Sequence, residues 1–85
     1  MAREDLLKRI TFNPKIYGGK AIVRGHRLAV QHVLEMLAAG DTPERLVEEY
    51  QWLEPEDVRA CLLYAARMVG NERLSPALTS EASGR

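Results

Sequence analysis

The sequence predicts a mainly α fold, a three-helix helix-turn-helix-like bundle with a short β-type N-terminal arm. The 85-residue chain has room for one small domain, which we place at residues 1–74. Apolar residues recur at helical spacing only from Val30 onward. With 46% hydrophobic and 28% charged residues, the composition is typical of a chain that folds.

The arm, residues 8–29, contains short apolar runs separated by turn residues. Ile10–Phe12 and Ala21–Val23 are the candidate strands. The tight turn that follows, residues 24–27, contains Gly25, the residue best able to adopt a positive φ. Strands this short are unstable alone in water, so we expect the arm to pack on the helical core or to pair with another chain.

Three helices follow the arm, and start and stop signals bound them. We expect helices over residues 30–39, 43–50 and 55–69. Gly40 stands at the C′ position of the first helix, and Thr42 is the N-cap of the second, with Pro43 at its first position. Pro55 marks the start of the third, but Glu54 is a poor N-cap, so we expect that start to fray.

The helical spacing also predicts which side chains face the core. In the second helix these are Leu46, Val47 and Tyr50, and in the third they are Val58, Cys61, Leu62, Ala65 and Val69. Trp52, between these helices, is expected at the core edge, with a role as a partner anchor as the alternative. Residues 75–85 show no periodicity, and we expect a disordered tail there.

Several classes of function are excluded by what the sequence does not contain. No window approaches the roughly 18 consecutive apolar residues of a membrane span, so we expect a cytoplasmic protein. Cys61 is the only cysteine, and His26 and His32 have no neighbouring ligands, so we expect neither a disulfide nor a metal site. Without a nucleophile motif or paired carboxylates in a cleft, we expect no enzyme, no catalytic residue and no cofactor.

Charge is unevenly distributed although the net charge is zero. Residues 1–40 contain seven Lys or Arg and three acidic residues, a net +4, whereas residues 41–85 contain five and nine, a net −4. An anionic partner for the basic segment is therefore one interpretation, and scattered solvated charges are the other.

The segment from Gly18 to Arg27 contains Gly-Gly-Lys-x-x-x-Arg-Gly-x-Arg. This motif, together with similar residues over about 8–68, resembles the family called domain of unknown function 433. The resemblance implies a homeodomain-like helix-turn-helix fold. It also implies an antitoxin of the VapB type, encoded beside a PIN-like nuclease toxin.

A site for a protein or nucleic-acid partner is expected in the basic part of the arm. Its candidate residues are Lys20, Arg24, Gly25, His26 and Arg27. The favoured hypothesis inserts Arg24 and Arg27 into the carboxylate cluster of the nuclease, because a guanidinium is a matched bidentate partner for a carboxylate. On this hypothesis both arginines are needed for partner binding and not for folding.

The alternative is that the two arginines pair within the chain or with a second copy. Glu48, Glu49 and Asp57 are the candidate acids for such pairs. A phosphate loop at Gly18-Gly19-Lys20 is disfavoured, because Ala21 follows where a hydroxyl residue is required.

If the protein binds DNA, the basic arm and not the third helix is expected to make the contact. Glu54, Glu56 and Asp57 at the start of the third helix would be repelled by DNA, so a DNA contact would use the arm instead.

From the resemblance and the basic arm together, we expect an antitoxin-type protein that neutralises a PIN-like ribonuclease, represses its own operon and forms a homo-oligomer through the arm or the first helix. The alternatives are a DNA- or RNA-binding regulator without a toxin, and a purely structural oligomerisation module.

Overall fold

A computed structural model describes residues 2–70, and the expected disordered tail at 75–85 lies outside them. The chain is mainly helical with one small sheet. Its elements are α1 (Arg3–Leu7), β1 (Ile10–Phe12), a 3-10 turn (Tyr17–Gly19), β2 (Ala21–Val23), α2 (Val30–Ala38), α3 (Pro43–Glu49) and α4 (Pro55–Gly70). No helix in the described range has the length and apolar character that crossing a membrane requires.

The three predicted helices are confirmed as α2, α3 and α4, and their boundary signals act as expected. Gly40 has a φ of +111° at the end of α2, and its N–H donates to the carbonyl of Leu37 at 3.1 Å. The Thr42 hydroxyl accepts the N–H of Arg45 at 3.2 Å and caps α3. The five-residue helix α1 was not predicted, since it is too short to show a hydrophobic period.

Both predicted strands are confirmed, and they pair with each other. β1 and β2 are antiparallel, with Ile10 opposite Val23 and Phe12 opposite Ala21. On its other side β2 is bridged by Ala29. Ile10 and Val23 are buried, so the arm packs on the helical core, which was one of the two arrangements expected for it.

The core lies where the hairpin, α2, α3 and α4 meet. Its largest fully buried apolar side chains are Ile22, Val23, Val33, Leu46 and Val58, joined by Cys61. Burial raises the pKa of the Cys61 thiol to about 12, which fits the expectation of a small core residue.

The predicted buried stripe of α4 is only partly correct. Val58 and Cys61 are buried, but Leu62 and Val69 are 48% and 67% exposed. Asp57 is buried in the same helix instead. Val69 is exposed because α4 has sixteen residues and α3 only seven, so the last turns of α4 extend beyond the core. Leu62 lies in the middle of α4 and borders an open hollow beside α1.

We expect Thr42→Ala to lower the free energy of unfolding by about 1 kcal/mol, because the first turn of α3 loses its side-chain acceptor. Urea denaturation followed by the fluorescence of Trp52, the only tryptophan, measures this loss. Thr42→Ser is the matched control and keeps most of the stability. Equal losses in the two variants would contradict a capping role for the hydroxyl.

Candidate functional site

One of the predicted site residues, Arg24, forms an ion pair with the buried carboxylate of Asp57. The Arg24 Nε donates to Oδ1 of Asp57 at 2.9 Å, and Nη2 donates to Oδ2 at 2.9 Å. The Asp57 side chain is fully buried. Arg24 Nη2 also donates to the carbonyl of Trp52 at 2.8 Å. The guanidinium therefore joins the arm to the α3–α4 connection and to the first turn of α4.

A second arginine completes the environment of the same carboxylate. Arg9 Nη1 donates to Asp57 Oδ1 at 2.9 Å and to Oε1 of Glu54 at 2.7 Å. The backbone N–H of Glu54 donates to Asp57 Oδ2 at 2.8 Å. The Asp57 carboxylate thus binds the backbone of Glu54 as in one half of a capping box and stabilises the start of α4, where fraying was expected.

Burial and hydrogen bonding act in opposite directions on the pKa values in this cluster. Burial raises the pKa of Asp57, but the hydrogen bonds from Arg24, the Glu54 N–H and Arg9 outweigh it and hold that pKa below its ordinary value. Hydrogen bonds to the carboxylates raise the pKa values of Arg9 and Arg24. Asp57 is therefore a carboxylate held between two cations.

The turn between β2 and α2 has an unusual backbone that the ion pair anchors. Arg24 and Gly25 have φ values of +45° and +75°. A Cβ at Gly25 would meet no atom within 4 Å, so glycine is favoured there by its backbone conformation and not by space. The Gly25 N–H donates to Oγ1 of Thr11 at 2.8 Å. An arginine tolerates the left-handed conformation here because its side chain is fixed by Asp57.

His26 and Trp52 pack against each other beside this turn. Their rings are parallel, with 4° between the planes and 3.7 Å between centroids. The Arg24 guanidinium lies 5.6 Å from the Trp52 ring centre. Trp52 is half-buried at the core edge, as expected, and His26 covers one face of its ring. Both residues support the turn from within the fold.

Arg27 and Lys20, by contrast, are exposed on the outer side of the turn. They border a polar hollow of about 460 Å³ together with Tyr17 and His32. The Tyr17 hydroxyl donates to the Arg27 carbonyl at 3.1 Å, which fixes the backbone and leaves the guanidinium free. Within residues 2–70, Arg27 forms no salt bridge.

The structure thus divides the predicted site residues into two groups. Arg24, Gly25 and His26 build and support the turn, whereas Lys20 and Arg27 face outward. The alternative of pairing within the chain is correct for Arg24 with Asp57, so we now expect Arg24 to contribute to the stability of the fold. Sequence reasoning missed Arg9, because nothing in its immediate neighbours indicates a partner 48 positions away.

A second surface is apolar and lies between α2 and the last turns of α4. It is an open groove of about 640 Å³. Its apolar lining includes Val30, Leu34, Ala38, Tyr64, Met68 and Val69. The exposed Phe12 ring lies 6.3 Å from that of Tyr64 and extends this apolar surface toward β1.

Within residues 2–70, the structure brings together no three His, Cys, Asp or Glu side chains in a way that could hold a metal ion. The two hollows present exposed cations, the carboxylate of Glu35 and an apolar surface.

Comparison with known proteins places this architecture in a family. The model of the family described as "Protein of unknown function (DUF433)" matches residues 10–65. The chain belongs to this family. The DUF433 match begins at β1 and ends within α4, so it contains the turn, the buried ion pair and both surfaces except for Met68 and Val69.

The DUF433 domain is also similar to part of a larger protein. It is 39% identical over 56 residues to the uncharacterized protein y4eO of Sinorhizobium fredii (strain NBRC 101917 / NGR234). The aligned region is 66% of this chain and 25% of y4eO, so this chain spans about a quarter of that relative. No solved structure matches the chain.

We expect Arg24→Ala to lower the free energy of unfolding by roughly 3 kcal/mol, because it leaves the buried Asp57 carboxylate without its bidentate partner. Arg27→Ala removes an exposed guanidinium and changes stability by no more than about 0.5 kcal/mol. Urea denaturation of the two variants side by side checks both values. Similar stabilities would show that the ion pair does not hold the turn.

Stability is expected to fall in acid through Asp57. Because its pKa is lower in the folded than in the unfolded chain, its contribution is complete above the unfolded value of 3.8 and is lost as the pH falls through the folded value. Urea denaturation from pH 6 to pH 3 measures this slope. The Asp57→Asn variant, compared in the same series, should be less stable at pH 6 and show a shallower decline. Parallel curves would contradict the assignment.

Proposed function

We propose that this domain is an antitoxin-type binding module that neutralises a PIN-like ribonuclease by presenting Arg27 to the carboxylates of the nuclease. One observation carries the proposal: Arg27 is exposed on a turn that the buried Arg24–Asp57 pair holds in place. In the Arg-Gly-x-Arg motif, Arg24 thus anchors the turn and Arg27 binds the partner.

A fixed turn favours binding because the partner does not have to order it. The Arg24 side chain, the Gly25 N–H and the Arg27 carbonyl are each held by a hydrogen bond. The backbone that carries Arg27 is therefore ordered before the partner arrives, which lowers the entropic cost of association. Only the Arg27 side chain remains to be immobilised.

The chemistry of the surface favours a partner with carboxylates. A guanidinium binds a carboxylate through two parallel hydrogen bonds, and Lys20 adds a second cation at the same polar hollow. PIN-like nucleases cluster carboxylates in their active sites, and the family resemblance implies such a nuclease as the partner. The basic surface and the acidic site are complementary, which also accelerates association.

Nucleic acid has weaker support as the main partner. At the start of α4 the accessible acids are Glu54 and Glu56, since Asp57 is buried, so a docking mode that places this end of the helix in the major groove brings two carboxylates against phosphates. Arg24, which the arm would use, is held by Asp57 instead. Repression of the operon then depends on exposed cations such as Lys20 and Arg27 and not on α4.

The test is to purify the tagged protein from its own host at native levels and to identify by mass spectrometry what remains bound. Purification is repeated in about 0.5 M salt, where the Debye length is roughly 4 Å and phosphate contacts weaken strongly. The expected result is a near-stoichiometric small nuclease that survives the salt. Recovery of nucleic acid alone, lost in salt, would replace the proposal with a regulator, and recovery of only its own copies would favour a structural module.

Arg27→Ala is the variant that addresses the proposed contact. We expect it to lower recovery of the nuclease at least about tenfold, the loss typical of a central charged contact at an interface. Arg59→Ala is the matched control, because Arg59 is also an exposed arginine but borders a different hollow, beside α1. Undiminished nuclease binding by Arg27→Ala would exclude Arg27 as the contact.

A further inference from the structure

The groove between α2 and α4 is an apolar surface that residues 2–70, the part of the chain the structure describes, leave open. Met68 and Val69 are 53% and 67% exposed at its edge. Leu34 and Ala38, one helical turn apart, form the facing side on α2. A contiguous apolar surface of this kind on a small domain is typical of an interaction site, whereas single exposed apolar residues are not.

Beside this groove runs a polar row with a positive and a negative end. Lys20 Nζ donates to Oε1 of Gln31 at 3.2 Å, and Gln31 Nε2 donates to Oε2 of Glu35 at 3.3 Å. All three residues border the groove. The hydrogen bonds hold the ammonium and the carboxylate apart, on either side of the amide of Gln31.

We propose that a second copy of this chain occupies the groove, with the α2–α4 face of one copy against the same face of the other across a two-fold axis. Two-fold symmetry reverses the polar row, so Lys20 of each copy meets Glu35 of the other. A uniformly acidic or basic partner would leave one end of the row against a like charge. The surface is complementary to itself in charge as well as apolar at its centre.

The apolar centre of this interface lies on a different face from the contact proposed for Arg27, although the two surfaces adjoin. The groove lies between α2 and α4, and Arg27 is not among the residues that line it. Lys20, Gln31 and Glu35 line both hollows, so the polar row is the border between the two surfaces. The dimer therefore does not depend on a nuclease partner, and each copy keeps its Arg27 outside the groove.

Sedimentation equilibrium of the full 85-residue chain over the micromolar range tests the dimer. We expect a monomer–dimer equilibrium in the wild type and a dissociation constant at least about tenfold higher for Met68→Glu, which places a charge inside the apolar interface. Leu62→Glu is the matched control, because Leu62 is an equally exposed apolar residue of α4 that does not line the groove. Circular dichroism and Trp52 fluorescence establish that both variants are folded.

Two charge reversals test the two-fold arrangement itself. Lys20→Glu and Glu35→Lys should each weaken self-association, because each puts like charges together at both symmetric contacts. An equimolar mixture of the two variants should form heterodimers, since every contact in the mixed pair joins opposite charges. This recovery cannot arise within one chain.

Three results would overturn the proposal: a wild-type chain that is monomeric throughout, a dimer that Met68→Glu leaves intact, or charge-reversed variants that gain nothing on mixing. None of these bears on nuclease binding through Arg27. Failure of the dimer and failure of the proposed function are therefore distinguished by separate measurements.

Discussion

The Asp57 carboxylate is the point at which the separate parts of this small domain are joined. It lies in the first turn of α4 and binds Arg24 from the turn after β2 and Arg9 from the residue before β1. It also accepts the N–H of Glu54 and so caps its own helix. One buried charge thereby fixes the hairpin, the turn and the start of α4 relative to one another.

Such a charge is costly to bury, and its hydrogen bonds are what make it tolerable. An isolated carboxylate in the interior would take up a proton, but here two guanidinium groups and a backbone N–H satisfy both oxygens. No buried side-chain N or O atom in the described part of the chain lacks a hydrogen-bond partner. A leucine at position 57 would fill the volume without specifying which arm residues approach it. The ion pair therefore fixes the position of the arm relative to α4 as well as contributing to stability.

The sequence predicted the helices well because their boundaries are marked locally, by Gly40, Thr42 and Pro55. It predicted the strands for the same reason. The roles of the arginines were harder to predict. The basic N-terminal half and the acidic C-terminal half suggested an external anion, whereas Arg9 and Arg24 pair with Asp57 inside the fold. A local sequence pattern carries no information about a contact 33 residues away, such as that between Arg24 and Asp57. The burial of the last turn of α4 was predicted wrongly because the helical periodicity of apolar residues continues beyond the end of the core.

The long sequence separations at Asp57 also bear on when the domain acquires its shape during synthesis. Arg9 and Arg24 precede their acceptor by 48 and 33 residues, so a chain still emerging from the ribosome holds both guanidinium groups long before Asp57 exists. Until then Arg24 lacks the contact that fixes its left-handed backbone. The entropic cost of closing the loop between Arg24 and Asp57 is offset only when that contact forms. The turn that carries Arg27 therefore gains its anchoring contact only after residue 57 has been made, although its own residues are made early.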